Sequence, residues 1–504
     1  MSNGVERDVS RGAMINALGL AGRLAGPVFL ILIARLYGPD TLGVYLTAVA
    51  LIETALALLV AGFKDGALIF VARHADEERA HPLLYEALVN ALAWSVLLAL
   101  LVVLLTVTSG STFVPKLYSS YGSSLISMLK WMCLVLPLMA VERVVMGATQ
   151  GLKIMKYEAF VSGGLRPVLL IITASLFWLI SPDVDGLTGA YVTTQFLVFL
   201  VVTQVCRREF HPKLLWQAVG RFRINREMIS FAFPQNVNVA FDRFVTNIDV
   251  IMLGILGFSA FEIGYYGAGA LIVRELRQIK LVFSSAFSPH IVRLFRERNL
   301  EQLSKTFATT SRWITTPLIP ILIAVALLKG DLLQIVHPNF AGQSTIFMLH
   351  LLVIPYLQAT FGLAGNVVIM TGHSKWNLFN GVTTGLSNIV LNLVLIPTFG
   401  LAGAAAASGL TAILRAALEV GEMQYLLRIP LRISQLYKPH LAGLFAAIPL
   451  VVAWRFTTIV EASIVHRVSL MLVLLLLYWG ILGSMGVRIR GSDDEQTPSA
   501  DRGD

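Results

Sequence analysis

Charged and amide side chains recur inside stretches of this 504-residue chain that are otherwise apolar. An ionisable group at the centre of a hydrocarbon layer costs about 2.5–3.5 kcal/mol on insertion scales, so such residues face a cavity, a partner or a pathway. Arg23 stands midway along the run 12–34. Gly19, Gly26 and Pro27 lie three or four positions from it, on the same helical face. Pro27 has no N–H to donate to the carbonyl of residue 23, and a bare carbonyl in lipid must find water or a neighbouring helix. A cation, a free acceptor and minimal side chains on one face describe a helix that lines a wet cavity and bends there, with Gly26 and Pro27 as hinge candidates. The competing reading pairs Arg23 with an acid such as Glu53 for packing alone.

The run 229–254 is the most polar. Gln235, Asn238, Asp242 and Asp249 follow a 3-4-7 stripe, and Asn236, Arg243 and Asn247 occupy the adjoining face. Pro234 interrupts the hydrogen-bond ladder near its start and is a third hinge candidate. These residues read as cavity lining, against an internal Asp–Arg network with Asn between helices. The run 263–287 carries Arg274, Glu275, Arg277, Gln278 and Lys280, with Arg274, Arg277 and Gln278 on the face of Leu281. It too reads as lining rather than as an interfacial amphipathic helix, because Gly264 to Val273 is too short to span alone. The candidate site is therefore Arg23, Glu53, Asn238, Asp242, Arg243, Asn247, Asp249, Arg274 and Arg277. Glu142, Arg143, Arg166 and the Arg415, Glu419, Glu422 set fall nearer the cytoplasmic ends of their runs, where snorkelling or i,i+4 pairing is expected. Cations exceed acids near mid-depth, which favours an anionic cargo group, since guanidinium matches phosphate oxygens with a fork of donors.

Nothing in the chain reads as catalytic machinery. It has no GxxxxGK[ST] phosphate loop, no HExxH and no Cys/His cluster. Cys133 and Cys206 form no CxxC pair. No catalytic residue, metal ligand or cofactor is expected. A glycosyltransferase or ligase would need catalytic residues in a large outer loop, and the longest outer loops, 107–124 and 329–344, lack an acid/His set.

The elements that must position these residues follow from composition. The chain is 56% hydrophobic and 14% charged, with mean hydropathy +0.73. Soluble domains carry about 25% charged residues, so a soluble enzyme, a disordered chain and a nucleic-acid binder are excluded. The net charge is +9. It is attributed to basic loops on one side of a bilayer rather than to polyanion binding. A membrane-spanning helix needs about 20 apolar residues. Fourteen runs qualify: 12–34, 44–63, 84–106, 125–147, 159–180, 188–206, 229–254, 263–287, 313–328, 345–370, 378–396, 402–424, 440–459 and 467–486. They are too long and too uniform for barrel strands. With the N-terminus inside, the outer loops hold only Arg35, Lys116 and Lys329 of the 39 Lys and Arg, which places both termini in the cytoplasm.

Three signatures recur about 220 residues apart, in order, as expected of a duplicated helical unit. Gly43-Val-Tyr45 matches Gly264-Tyr-Tyr266, Lys156-Tyr157 with Phe160 matches Lys375-Trp376 with Phe379, and Gly186-Leu-Thr-Gly189-Ala190 matches Gly400-Leu-Ala-Gly403-Ala404. Six spans per copy give parallel repeats. The expected architecture is an all-α polytopic membrane protein of about 14 transmembrane helices, two parallel-repeat six-helix lobes plus two C-terminal helices. Its parts are an N-lobe at 1–228 with a basic linker at 207–228, a C-lobe at 229–430, two further spans at 431–486, and a disordered cytoplasmic tail at 487–504.

Several stretches resemble the polysaccharide biosynthesis (Wzx-type flippase) branch of the multidrug/oligosaccharidyl-lipid/polysaccharide exporter superfamily. They are Ala34-Arg-Leu-Tyr-Gly-Pro-Asp-Thr-Leu-Gly-Val-Tyr45, Phe233-Pro-Gln-Asn through Asn247-Ile-Asp-Val-Ile-Met-Leu-Gly254, and Phe399-Gly-Leu-Ala-Gly-Ala404, within a resemblance over about 10–430. It implies a flippase for polyprenyl-pyrophosphate-linked oligosaccharide in a bacterial inner membrane. A cationic cavity would take the head group, with Arg23 and the 229–254 stripe as its candidates. The implied partners are the lipid-linked glycan, membrane lipids and a polysaccharide polymerase or export machinery. Coupling to H⁺ or Na⁺ through Asp242 or Asp249 stays open. The alternative is a cation-coupled drug or metabolite exporter of the same fold, for which cavity acids would dominate.

Overall fold

A computed structural model describes residues 25–73, 80–108, 118, 120–210, 226–456 and 464–486. Among the described residues every regular element is helical. The helices are α1 (Ala25–Tyr37), α2 (Pro39–Arg73), α3 (Ala80–Thr108), α4 (Gly122–Leu134), α5 (Leu136–Gly151), α6 (Lys156–Trp178) and α7 (Val184–Glu209). They continue with α8 (Arg226–Ile255), α9 (Ala260–Leu276), α10 (Gln278–Arg296), α11 (Leu300–Val336), α12 (Ile346–Thr360), α13 (Leu363–Met370), α14 (Ser374–Gly421), α15 (Ile433–Phe456) and α16 (Ile464–Ser484). Seven of them are long and apolar enough to cross a membrane, or nine when each bent pair is one span. The count of fourteen is therefore not reached by length and composition among the described residues.

Local chemistry sets the boundaries. Gly38 ends α1 at φ +89°, a left-handed value that costs glycine nothing, and Pro39 opens α2 where a missing N–H does no harm. Asp183 caps α7 by accepting from the N–H groups of Asp185 and Gly186. Ser181 donates to the same oxygen. These donors hold the Asp183 carboxyl below the usual carboxylate range. The 48 residues of α14 are a hairpin rather than one rod. Gly400 breaks the helix at φ 59°, ψ −134°, and Asn388 donates to Thr411 at 3.2 Å. A straight helix would hold those two residues about 34 Å apart.

Two compact units make up the chain. The first contains Met1–Val273, Leu332–Leu351 and Leu378–Thr411. Its α2 packs along α8 and α5. Glycines let the backbones close: a Cβ on Gly147 would meet the Lys64 carbonyl oxygen at 2.4 Å, and one on Gly151 the Leu68 oxygen at 2.7 Å. The duplicated glycines make a reciprocal contact. A Cβ on Gly43 would lie 1.8 Å from the Ala260 oxygen, and one on Gly264 would lie 2.3 Å from the Pro39 oxygen. Position 39 stands to 260 as 43 stands to 264, so the α2–α9 contact maps onto itself when the repeats exchange. That is the mark of a two-fold relation between repeats. A second echo is the pair of broken spans: α4–α5 and α12–α13 each bend by 48°.

The second unit contains Arg274–Asp331, Leu352–Asn377 and Ala412–Asp504. Its apolar centre joins Ile319 of α11 to Ala442 and Ala446 of α15 and to Tyr478 and Leu482 of α16. Tyr478 donates to the Thr316 carbonyl. That acceptor lies one turn before Pro320, a residue with no N–H to bond it. The run 263–287 is two helices here, not the single face expected. The Arg277 N–H bonds the Arg274 carbonyl, a tightened turn that ends α9 and starts α10.

Candidate functional site

The structure divides the candidate residues among three places. In the first unit Glu53 of α2 meets Arg143 of α5, Nη2 to Oε2 at 2.5 Å, with the side chains 18% and 22% exposed. The neighbouring Glu142 pairs with Arg166 of α6. Arg166 and Arg243 of α8 also lie within Coulombic reach of Glu53. Tyr45 and Tyr191 stand in the same field. Arg166 follows directly on a π-turn at Val161–Leu165, a local widening that is often found at functional sites. Among the described residues, three guanidiniums thus face two carboxylates.

This corrects one expectation. Arg143 and Arg166 do not snorkel or pair along their own helices, because Glu53 and Glu142 are across-helix partners that compensate them locally. By contrast Arg415 and Glu419 do form an i,i+4 pair. Arg243 is exposed and makes no ion pair among the described residues.

Asp249 of α8 lies elsewhere in the first unit. It is 9% exposed and accepts from Tyr266 at 2.6 Å, Ser408 at 2.7 Å and Asn392 at 3.2 Å. Asn392 also donates to Asn388, and its own Oδ1 is buried without a hydrogen bond. All the donors to Asp249 are neutral. The polar stripe of α8 is therefore not one lining: Arg243 serves the Glu53 group and Asp249 enters the α14 hairpin. Asn236, from the same helix, accepts from the Gly62 backbone N–H at 2.5 Å, which is interhelical bonding of the competing kind. Asn247 is half-buried.

The remaining candidates belong to the second unit. Arg274 is exposed, and Arg277 donates from Nε to Gln358 at 2.9 Å. Arg23 lies outside the described residues, as do the side chains of Asn238, Asp242 and Pro234. Helix α8 continues through position 234. Gly26 and Pro27 fall in the first turn of α1. Among the described residues no group of His, Cys, Asp or Glu forms a metal cluster.

Sequence reasoning missed Arg143, Arg166, Tyr45, Tyr191, Tyr266, Asn388, Asn392 and Ser408. Two signals were available. Asn388 and Asn392 are one turn apart in an apolar run. Tyr45 and Tyr266 are repeat equivalents, and each stands near a carboxylate of its own repeat.

Among the described residues every regular element is a helix and two spans are broken, a fold shared with solved membrane flippases and exporters. The lipid II flippase MurJ, in an inward closed conformation, aligns with 94% of this chain and 98% of its own, at TM-score 0.72 and 13% identity. An inward-facing multidrug resistance MATE family transporter of the MOP superfamily aligns with 81% and 94%, at TM-score 0.67 and 14% identity. The profile of the polysaccharide biosynthesis protein family matches residues 10–295, and the chain belongs to that family. No curated protein matches it by sequence.

Proposed function

We propose that this protein is a flippase that carries polyprenyl-pyrophosphate-linked oligosaccharide from the cytoplasmic to the outer leaflet of a bacterial inner membrane, both termini inside, for polysaccharide export. The observation that carries this reading is the group of Arg143, Arg166 and Arg243 around Glu53, in a chain of the polysaccharide biosynthesis family. A pyrophosphate head cannot cross hydrocarbon bare. Two repeats rocking about a cationic site would pass it between leaflets without exposing it to lipid. An inside-negative potential favours outward movement of an anion by about 2.3 kcal/mol per charge per 100 mV.

On this reading Arg23, Glu53, Asn238, Asp242, Arg243, Asn247, Arg274 and Arg277 contact or orient the head group, and Gly26, Pro27 and Pro234 are hinges. Asp249 is assigned the coupling ion. A buried carboxylate with only neutral donors lacks a counter-charge, and a proton or Na⁺ beside the unpartnered Asn392 Oδ1 would supply one. A polymerase or export machinery would take the product.

Surface glycan in a deletion strain complemented with variants tests this. Arg243→Ala is expected to lower glycan about tenfold or more, with membrane levels unchanged because Arg243 is exposed and makes no ion pair among the described residues. Full rescue by Arg243→Ala would remove the assignment. The Asp249 site favours a second reading, a cation-coupled exporter. That reading expects Arg243→Ala to retain drug efflux and Asp249→Asn to abolish it.

A further inference from the structure

The end of the second unit where α10 turns into α11, and where α14 passes into α15, carries an excess of cations. Two links set these segments side by side. Ser304 donates to the Pro430 carbonyl at 2.5 Å, and Arg432 donates from Nη2 to Glu301 Oε1 at 3.0 Å. Lys305 shares that carboxylate. Arg293 and Arg296 in the last turn of α10, with Arg298 and Arg428, are exposed and make no ion pair among the described residues. Only Glu297 and Glu301 oppose them in these two connections. The Arg432 Nε is buried without a hydrogen bond.

Two of these arginines occupy positions that suit glycine. Arg298 stands at φ 55° and Arg428 at φ 56°, the left-handed region in which helices commonly end on glycine. The flanking bonds are those of such an ending: the Asn299 N–H reaches the Leu294 carbonyl at 3.0 Å, and the Ile429 N–H reaches the Met423 carbonyl at 3.0 Å. Among the described residues the left-handed positions that are not glycine are Lys153, Arg298 and Arg428, all basic. A side chain there strains the backbone. The helix dipole rewards one cation at a C-terminus, but it does not call for the other exposed cations around it.

The apolar surface beside the patch points to its occupant. In α14, Ile413 and Ala417 are exposed one turn apart. Tyr425 and Leu426 follow at the end of the helix, 83% and 47% exposed, in the π-turn Glu422–Leu426. In α15, Tyr437, Leu444 and Ile448 are exposed on one face. Apolar faces that end in tyrosine next to arginine mark the level at which helices leave hydrocarbon for head groups. We propose that Arg298, Arg428 and Arg432, with the rings of Tyr425 and Tyr437, form a docking surface for anionic phospholipids of the surrounding bilayer. These lipids anchor the second unit and are not cargo, so the inference is independent of the glycan reading. An acidic soluble partner would fit the cations but not the tyrosines at the ends of two apolar faces.

The test is binding of phosphatidylglycerol to the full-length protein in neutral detergent, counted by native mass spectrometry, with phosphatidylcholine as the uncharged comparison. The Arg298→Gly, Arg428→Gly pair removes both cations and gives each position the residue its backbone favours, so the melting temperature should hold or rise. Phosphatidylglycerol affinity is expected to fall about tenfold or more, with phosphatidylcholine unmoved. The corresponding pair of lysine substitutions should stay within about threefold of wild type. Equal phosphatidylglycerol binding by wild type and the glycine pair overturns the proposal, as does an equal loss for both lipids. If the glycine pair fails to fold, Arg298→Gln alone decides: about fivefold weaker binding upholds the surface and unchanged binding overturns it. Polyglutamate that binds wild type but not the glycine pair, while phosphatidylglycerol binds both alike, would make this a face for an acidic protein and overturn the lipid assignment.

Discussion

At the scale of the residue, the decisive quantity is which charge has a partner. Glu53 and Arg143 are joined by a single short contact and remain about one-fifth exposed, and a close ion pair of this kind is costly to break from one side. Removing Arg143 leaves Glu53, among the described residues, in the field of Arg166 and Arg243. Arg143→Ala is expected to cost about 1–3 kcal/mol, read as a lower melting temperature in detergent. The Glu53→Gln, Arg143→Gln double variant should recover part of that loss, because neither partner is stranded; equal losses in single and double variants would deny the coupling. Asp183 offers a pH test outside the spans. Its carboxyl is depressed by hydrogen bonds to its ionised form, so its contribution is complete above the unfolded-state value and is lost as pH falls through the lower folded one. Asp183→Ala should cost about 1 kcal/mol at neutral pH and nothing further in acid, where the wild-type cap is also gone.

At the scale of the element, the repeats share geometry but not chemistry. Thr173 and Thr194 bridge α6 and α7 hydroxyl to hydroxyl at 2.7 Å. Their counterparts about 220 residues on are Asn392 and Ser408, and these are bridged through Asp249 instead. One hairpin is closed by neutral groups; the other admits a carboxylate. The turn in α14 depends on Gly400, whose φ and ψ only glycine adopts without strain. Gly400→Ala is expected to cost about 1–3 kcal/mol and to loosen the Asn388–Thr411 closure, measurable as faster proteolysis near residue 400. The same substitution at Gly381, where an added Cβ would meet nothing, should cause no such change.

At the scale of the whole molecule, the proposed orientation rests on charge asymmetry across the bilayer. Cysteines placed in a background lacking Cys133 and Cys206 test it. Gln343→Cys should react with an impermeant maleimide added to intact spheroplasts, and Glu297→Cys only after lysis. The reverse pattern would invert the topology and, with it, the direction of transport. The reciprocal Gly43–Ala260 and Gly264–Pro39 contacts bear on rocking as well. A bulky Gly43→Leu should prevent that approach and impair export even though no charge is touched.

Sequence alone determined that the chain is helical and rich in apolar spans, because hydropathy and helical period are local properties that add along a chain. Even the glycines of the repeat contact were legible, since a helix can approach another so closely only where side chains are absent. Which carboxylate meets which guanidinium was decided only by the tertiary structure. Arg143 was expected to snorkel or to pair along its own helix, and it meets Glu53 because α5 packs against α2. In the same way Asp249 parted from Arg243 on one helix, because pairing energies depend on distance through folded space and not along the backbone.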